Sequence, residues 1–178
     1  MSWSPSIEAK RAALAIFIVC IFALPARAED PQACTAFKWP LAAERSWFAA
    51  NPVELQSGAA IGELKDSAFA IALKPSDKLH FALPPETEPK SDKSMGAIVA
   101  FAAVATAGTY QVTLSEEAWI DIVQEGAYQP SLDFSGVHGC PGLRKSVRFT
   151  FKAAPLVLQL SSASVASIKL AIRRLPSH

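Results

Sequence analysis

The chain has few of the residues from which most enzyme active sites are built. Its 178 residues include three histidines, three cysteines and two methionines. It has no Gly-x-Ser-x-Gly motif, no His-Glu-x-x-His motif and no phosphate-binding glycine loop. These are common signatures of serine hydrolases, zinc peptidases and nucleotide-binding enzymes. The sequence therefore gives no candidate catalytic residue.

Long apolar runs are also missing, except for one at the N-terminus. Ala12–Leu24 is uncharged and follows two basic residues, and Ala26-Arg27-Ala28 is a small-x-small cleavage site. This layout predicts a secretory signal peptide over residues 1–28, cleaved after its last alanine. The run is shorter than the roughly 20 residues that cross a bilayer, and no later segment is apolar enough to do so. We expect a periplasmic protein with no integral membrane segment after cleavage.

Two cysteines, Cys34 and Cys140, remain when removal of 28 of the 178 residues leaves 150. An even number of cysteines in an exported chain predicts a disulfide, and only one pairing is possible here. A metal site is one alternative, but structural zinc needs four ligands and the chain adds only His80, His138 and His178. A catalytic cysteine, the other alternative, would need an oriented base. We expect the disulfide, with no metal and no cofactor.

The charges are balanced in number but unevenly placed along the chain. The formal net charge is +1, so nothing marks the chain as a nucleic-acid-binding protein. Every acidic residue lies at or before Asp133, and the basic residues that follow it are Arg144, Lys145, Arg148, Lys152, Lys169, Arg173 and Arg174. We expect these late basic strands to lie beside earlier acidic segments, and the alternative is an anion-facing patch.

Residues 29–54 are predicted to form an N-terminal segment with a short helix. Pro40 suits the first turn of that helix, because proline needs no hydrogen-bond partner for its nitrogen there. Trp39, Trp47 and Phe48 supply apolar surface through which the segment would pack on the domain as a lid. A box of aromatic residues around a ligand is the less favoured interpretation.

From residue 55 onward, apolar and polar residues alternate with a period of two, as they do in half-buried strands. The alternating apolar sets include Phe69, Ile71 and Leu73; Leu79, Phe81 and Leu83; Tyr110, Val112 and Leu114; and Val147, Phe149 and Phe151. Turn residues separate about eight such segments, and no long segment has the helical period. The pattern predicts an all-β domain over residues 55–178, an antiparallel β-sandwich of the jelly-roll type.

A hairpin predicted on either side of Glu116-Glu117 gives the one candidate ligand-binding surface. The candidate residues are Trp119, Asp121, Gln111, Thr113 and Arg148. If Ile120 and Ile122 point into the core, Trp119 and Asp121 point outward beside the polar residues of the paired strand. An aromatic ring with a carboxylate and amides is a common way to bind a sugar. We favour the alternative, in which residues 29–54 cover Trp119 and Asp121 pairs with a basic residue such as Arg148.

Two stretches of the chain resemble bacterial pre-peptidase C-terminal domains and similar jelly-roll binding modules. They are Ala107–Leu114, with the following strand that carries Asp121, and Phe149–Ala154. The resemblance covers residues 95–173, and it implies a β-sandwich fold. The chain departs from the module at residues 155–157, where Pro-Leu-Val replaces Gly-Thr-Tyr.

A wider set of residues resembles a family of small exported proteins of Gram-negative bacteria. The set comprises Cys34, Phe37-Lys38-Trp39-Pro40, Pro84-Pro85-Glu86, Gly108–Ser115, Trp119-Ile120-Asp121 and Arg144–Phe149. Some members carry the label homogentisate 1,2-dioxygenase, and such enzymes hold iron with two histidines and a carboxylate. No His-x-Glu or His-x-His spacing occurs here. We expect a non-enzymatic protein that binds an envelope protein or a small or saccharide ligand, and the alternative is a metal-dependent enzyme.

Overall fold

The computed structural model of the protein describes Met1, residues 31–88 and residues 91–176. Most of the predicted signal peptide and His178 lie outside the described residues. One α-helix, α1, spans Ala42–Ala49. The strands are β1 Val53–Gln56, β2 Ala59–Leu64, β3 Ser67–Ala72, β4 Lys74–Pro75, β5 Met95–Val104, β6 Gly108–Leu114, β7 Trp119–Gln124, β8 Ala127–Tyr128, β9 Ser131–Gly136, β10 Lys145–Phe151, β11 Leu156–Ala163 and β12 Ser167–Arg174. No helix in the described part of the chain is long and apolar enough to span a membrane.

The strands form two packed sheets, so the predicted β-sandwich is confirmed. Sheet 1 has the order β1-β3-β12-β6-β10-β9, and sheet 2 has the order β2-β5-β11-β7-β8, with β4 beside β5. Most neighbours are antiparallel, but β1 runs parallel to β3 and β2 runs parallel to β5. The last strand, β12, lies between β3 and β6 in the middle of sheet 1.

The core lies between the sheets and is built from the alternating residues of both. Phe69 and Ile71 on β3, Val112 on β6 and Phe149 on β10 all lie in one buried cluster, as their period of two predicts. Each such side chain contributes roughly 1.5–3 kcal/mol when it leaves water. Because one side of the central strands is committed to this core, the opposite sides form the two outer faces of the sandwich.

The predicted hairpin between β6 and β7 is wrong, because the two strands lie in different sheets. The chain crosses the sandwich between them, and Ala118 is buried at the crossing. Both strands turn their apolar residues toward one core from opposite sides. The core-facing residues are Val112 and Leu114 on β6 and Ile120 and Ile122 on β7. They would therefore alternate in the same way in a hairpin and in a connection that crosses between the sheets.

The strand predicted from Leu79, Phe81 and Leu83 is also wrong. These residues belong to the strap (residues 76–88), a 3-10 turn and irregular loop that lies across the outer face of sheet 2. The backbone N–H groups of Ala82 and Leu83 donate to Gln159 Oε1 at 2.6 and 3.2 Å. The amide of Gln159 donates back to the Leu83 carbonyl at 3.0 Å. These backbone groups have no neighbouring strand to pair with, and the buried Gln159 side chain satisfies their hydrogen bonds instead.

The outer face of sheet 1 is covered by the N-terminal segment, described over residues 31–50. Its side chains join the end of the β9–β10 loop in a second buried cluster, formed by Phe37, Trp39, Leu41, Phe48, Val137, Cys140, Leu143 and Ala171. Cys34 and Cys140 are bonded to each other across a sequence separation of 106, which confirms the predicted disulfide. The segment does not end at residue 54, because Val53 and Glu54 belong to β1 of sheet 1.

Candidate functional site

The five predicted ligand-binding residues do not lie on one surface. Gln111, Thr113 and Arg148 point away from the core on sheet 1, beneath the N-terminal segment. Trp119 and Asp121 lie on sheet 2, on the other side of the sandwich. The predicted platform depended on the hairpin that the chain does not form. The two groups are therefore separate sites, and each is described by itself.

Asp121 is buried, with 2% of its surface exposed, and both of its oxygens are occupied. The Trp119 indole N–H donates to Oδ1 at 2.7 Å, and the Glu86 backbone N–H of the strap donates to Oδ2 at 3.4 Å. Burial raises the pKa of Asp121 above its ordinary value, and the two hydrogen bonds act in the opposite direction. This carboxylate orients Trp119 and fastens the strap, and its burial leaves it little surface to offer a ligand.

Trp119 is partly open to solvent, with 36% of its surface exposed. The Lys145 ammonium lies 5.1 Å from the ring centroid, a cation–π contact, and also donates to the Ala118 carbonyl at 3.0 Å. The N-terminal segment does not cover this ring, and Asp121 does not pair with Arg148. Both parts of that alternative interpretation are wrong, because the segment lies on sheet 1 and Trp119 on sheet 2.

A cleft of about 220 Å³ opens beside Trp119, between the edges of the two sheets. We call it the Trp119 cleft. Its walls are core residues: Ile120 from sheet 2 and Val147 and Phe149 from sheet 1. Trp119 and Phe134 form its apolar rim, and Glu86, Ser131 and Lys145 are its polar lining.

The cleft is open because sheet 1 extends beyond sheet 2 at this edge. Phe134 on β9 pairs with Val147 on β10 and so faces the same way as that core residue. On sheet 2, the only strand beyond β7 within the described residues is β8, which pairs with the end of β7 at Val123 and Gln124. No strand lies opposite Phe134, which is 60% exposed, and its neighbour Leu132 is 57% exposed. β9 was missed in the sequence, although Leu132 and Phe134 alternate with polar residues.

On sheet 1, Gln111 is fully buried in a polar network under helix α1. Its side-chain nitrogen donates to Glu44 Oε1 at 2.7 Å, and its oxygen accepts from Arg148 Nε at 3.2 Å. Arg173 Nε donates to the same Glu44 oxygen at 2.8 Å. Gln111 therefore has no group left for a ligand; its role is to fasten the helix to the sheet.

Thr113 is likewise fully buried and belongs to the same covered face. Its hydroxyl lies 3.0 Å from that of Ser146, and the Trp39 indole N–H donates to Ser146 Oγ at 3.1 Å. The Arg148 guanidinium stacks over the Trp39 ring at 3.9 Å from its centroid. These contacts fix Trp39 and Arg148 in place.

The described residues do not supply the ligand set that an iron-dependent dioxygenase needs. No group of three His, Cys, Asp or Glu side chains in residues 31–88 and 91–176 could hold a metal ion. His80 is exposed on the strap, and His138 Nε2 lies 3.0 Å from the Arg144 guanidinium, a cation that opposes metal binding there. The two remaining cysteines are bonded to each other.

The late basic residues mostly pair with earlier acidic ones, as expected. Arg144 and Lys145 lie beside Glu117, Lys152 lies beside Glu125, and Arg173 lies beside Glu44. In the described part of the chain, Arg148 has no carboxylate within ion-pair distance. The prediction of acid–base pairing is therefore confirmed for four of the seven late basic residues, and within the described residues Arg148, Lys169 and Arg174 form no ion pair.

Comparison with solved structures finds a distant likeness. No protein-family model matches the chain, and no curated protein matches it. A solved structure, the pre-peptidase C-terminal domain of a collagenase from Bacillus anthracis, is 14% identical to it. The TM-score is 0.37, and the alignment covers 69% of this chain and 99% of that one.

Proposed function

We propose that the protein is an exported, non-enzymatic binding protein of the bacterial cell envelope. Its ligand or partner protein places a small apolar group in the Trp119 cleft. One observation carries this proposal: two large apolar side chains, Trp119 and Phe134, are exposed at the mouth of a cavity walled by core residues. Exposed apolar surface of this kind is costly in water and usually marks a binding site.

Export is supported by two features of the chain. The N-terminal residues have the basic, apolar and small-x-small order of a signal peptide. The bond between Cys34 and Cys140 is of a kind that persists in oxidising compartments such as the periplasm. The resemblance to small exported proteins of Gram-negative bacteria agrees with both.

The size and chemistry of the cleft favour one ring or one short alkyl group. Its volume of about 220 Å³ is below the roughly 300–1,000 Å³ of sites for drug-sized ligands. Trp119 is held by Asp121 and by Lys145, so the wall that it forms is already in place before a ligand arrives. A sugar is less favoured, because Asp121 is buried and an ammonium group lies over the ring.

The test is an NMR titration that measures the binding of p-cresol to the mature protein and to two matched variants. Phe134→Ser removes part of the rim of the cleft and should weaken binding by at least about fivefold, since roughly 1 kcal/mol of apolar contact is lost. Leu132→Ser is the control: it lies on the same strand and is equally exposed, but does not line the cleft. Its affinity should stay within about twofold of the wild type. Equal losses in both variants, or no saturable binding by the wild type, would contradict the proposal.

A further inference from the structure

A second pocket lies on the outer face of sheet 1, at the edge of the N-terminal segment. It encloses about 380 Å³ and is lined by Trp39, Pro40, Thr109, Arg148, Arg173, Leu175 and Pro176. Two guanidinium groups and a hydroxyl are its polar lining, and no acidic side chain lines it. We call it the two-arginine pocket.

The two arginines lie side by side because of the strand register. Arg148 on β10 and Arg173 on β12 both pair with Gln111 on the strand between them. Their Cα atoms are therefore two strand spacings apart, about 10 Å. Residues directly opposite in neighbouring strands share a face, so both side chains leave the sheet on the side of the N-terminal segment.

Each arginine is anchored through its Nε and not through its terminal nitrogens. Arg148 Nε donates to Gln111, and Arg173 Nε donates to the buried Glu44. The guanidinium plane of Arg148 is also stacked on Trp39, whose own orientation is fixed by Ser146. The pair is preorganised, and within the described residues no side chain or carbonyl accepts a hydrogen bond from the terminal nitrogens of either group.

The charge in the pocket is only partly balanced. Glu44 forms an ion pair with Arg173, and in the described part of the chain Arg148 has no carboxylate within ion-pair distance. Asp133 lies opposite Arg148 in the neighbouring strand and interacts with it electrostatically, but its carboxylate is bonded to Lys38. Fixed cations in a partly covered site repel each other and attract an anion. The planar terminal edge of a guanidinium group matches the two oxygens of a carboxylate or a phosphate.

We propose that the two-arginine pocket binds an oxyanion, a carboxylate or phosphate group, carried by a small organic molecule. Arg148 contributes most of the binding through its terminal nitrogens, and Arg173 adds to the positive field. The rest of the molecule lies against Trp39 and the prolines at the rim. This site is distinct from the Trp119 cleft, since it opens on the outer face of sheet 1, whereas the cleft opens between the two sheets.

The test is isothermal titration of the mature protein with inorganic phosphate and, separately, with acetate. Saturable binding of either one is the expected result, and the one that binds identifies the kind of oxyanion. Arg148→Gln should weaken binding at least tenfold, since a hydrogen bond between charged groups is lost. Lys152→Gln is the matched control, because it also removes one positive charge just after β10, but outside the pocket.

A third variant, Arg148→Lys, completes the test. Arg148→Lys retains the charge but loses the planar edge, so it should bind several-fold more weakly than the wild type, and it replaces Arg148→Gln if that variant does not fold. Circular dichroism shows which variants are folded. An equal loss of affinity in Lys152→Gln, or no saturable binding of either anion by the wild type, would overturn the proposal.

Discussion

The two outer faces of the sandwich are both covered, but by different means. On sheet 1 the N-terminal segment is held by a disulfide, by the buried Glu44 and by the indole of Trp39. On sheet 2 the strap is held by hydrogen bonds that its backbone N–H groups donate to Gln159 and Asp121, with no covalent link among the described residues. The N-terminal segment thus belongs to a buried cluster, whereas the strap lies on the surface.

This difference locates the candidate binding surface of sheet 2. A cover that is fastened only by hydrogen bonds and half-buried side chains belongs to the less stable part of a protein. Beside it, the sheet edges remain unclosed and the Trp119 cleft reaches the core. On sheet 1 the polar side chains of Gln111 and Thr113 form hydrogen bonds beneath the N-terminal segment and help to hold it in place. The predictions below change each cover in turn.

The largest effect is expected from removal of the disulfide. The double variant Cys34→Ala, Cys140→Ala should lose about 4 kcal/mol of unfolding free energy, because the bond closes a loop of 106 residues. Urea unfolding of wild type and variant measures the loss, and wild type with reductant should approach the variant. Under denaturing, non-reducing conditions the mature wild type should show no free thiol. Two titratable thiols per chain would show that the bond does not form.

The next largest effect is expected from truncation of a tryptophan, and the loss of stability should differ between Trp39 on sheet 1 and Trp119 on sheet 2. Trp39→Ala should lose about 3–5 kcal/mol of unfolding free energy, as large core truncations do. Trp119→Ala should lose only about 1–2 kcal/mol, since a third of the side chain is already in water. Thermal or urea unfolding of both variants gives the comparison. Equal losses would mean that Trp119 is as well covered as Trp39, which is 8% exposed.

The smallest effect is a pH dependence at Asp121. Burial raises its folded pKa above 3.8, so between that value and the folded pKa the folded state binds more protons than the unfolded state. The contribution of Asp121 to stability is therefore present at low pH and declines as the pH rises through this window. Asparagine does not titrate, so the stability of Asp121→Asn relative to wild type should increase over the same window, measured by urea unfolding.

Asp133→Asn is the control of opposite sign. The Lys38 ammonium and the Phe134 N–H hold the pKa of Asp133 below 3.8. Its contribution is present above 3.8 and is lost as the pH falls toward the folded pKa, so this variant should lose stability relative to wild type as the pH rises. The same direction for both variants would contradict the assignment of Asp121 as a buried carboxylate.

The fold class and the disulfide could be predicted from the sequence, because both follow from local signals. Phe69 and Ile71 alternate as a half-buried strand requires, and two cysteines in an exported chain have only one pairing. The short helix was predicted from Pro40 and the residues after it, and α1 begins two residues later, at Ala42.

The candidate site could not be predicted, because it depends on which strands become neighbours. The alternation of β6 and β7 shows which residues face the core, but not that the chain changes sheets between them. From the sequence alone, Glu44 on α1 would be placed on the solvent-exposed side of the helix, yet it is fully buried between Gln111 and Arg173. The exposure of Phe134 depends on the two-residue length of β8, which no residue pattern in β9 reveals.

The central place of β12 has a consequence for the order in which the protein folds. Sheet 1 lacks the strand between β3 and β6 until Ser167–Arg174 has been synthesised. Before that, the two flanking strands have unpaired edges, which are prone to associate with other chains. Pairings between residues so distant in sequence are also slow to form. The domain is therefore expected to fold late and as one unit, because the strand that joins the two halves of sheet 1 is the last to be synthesised.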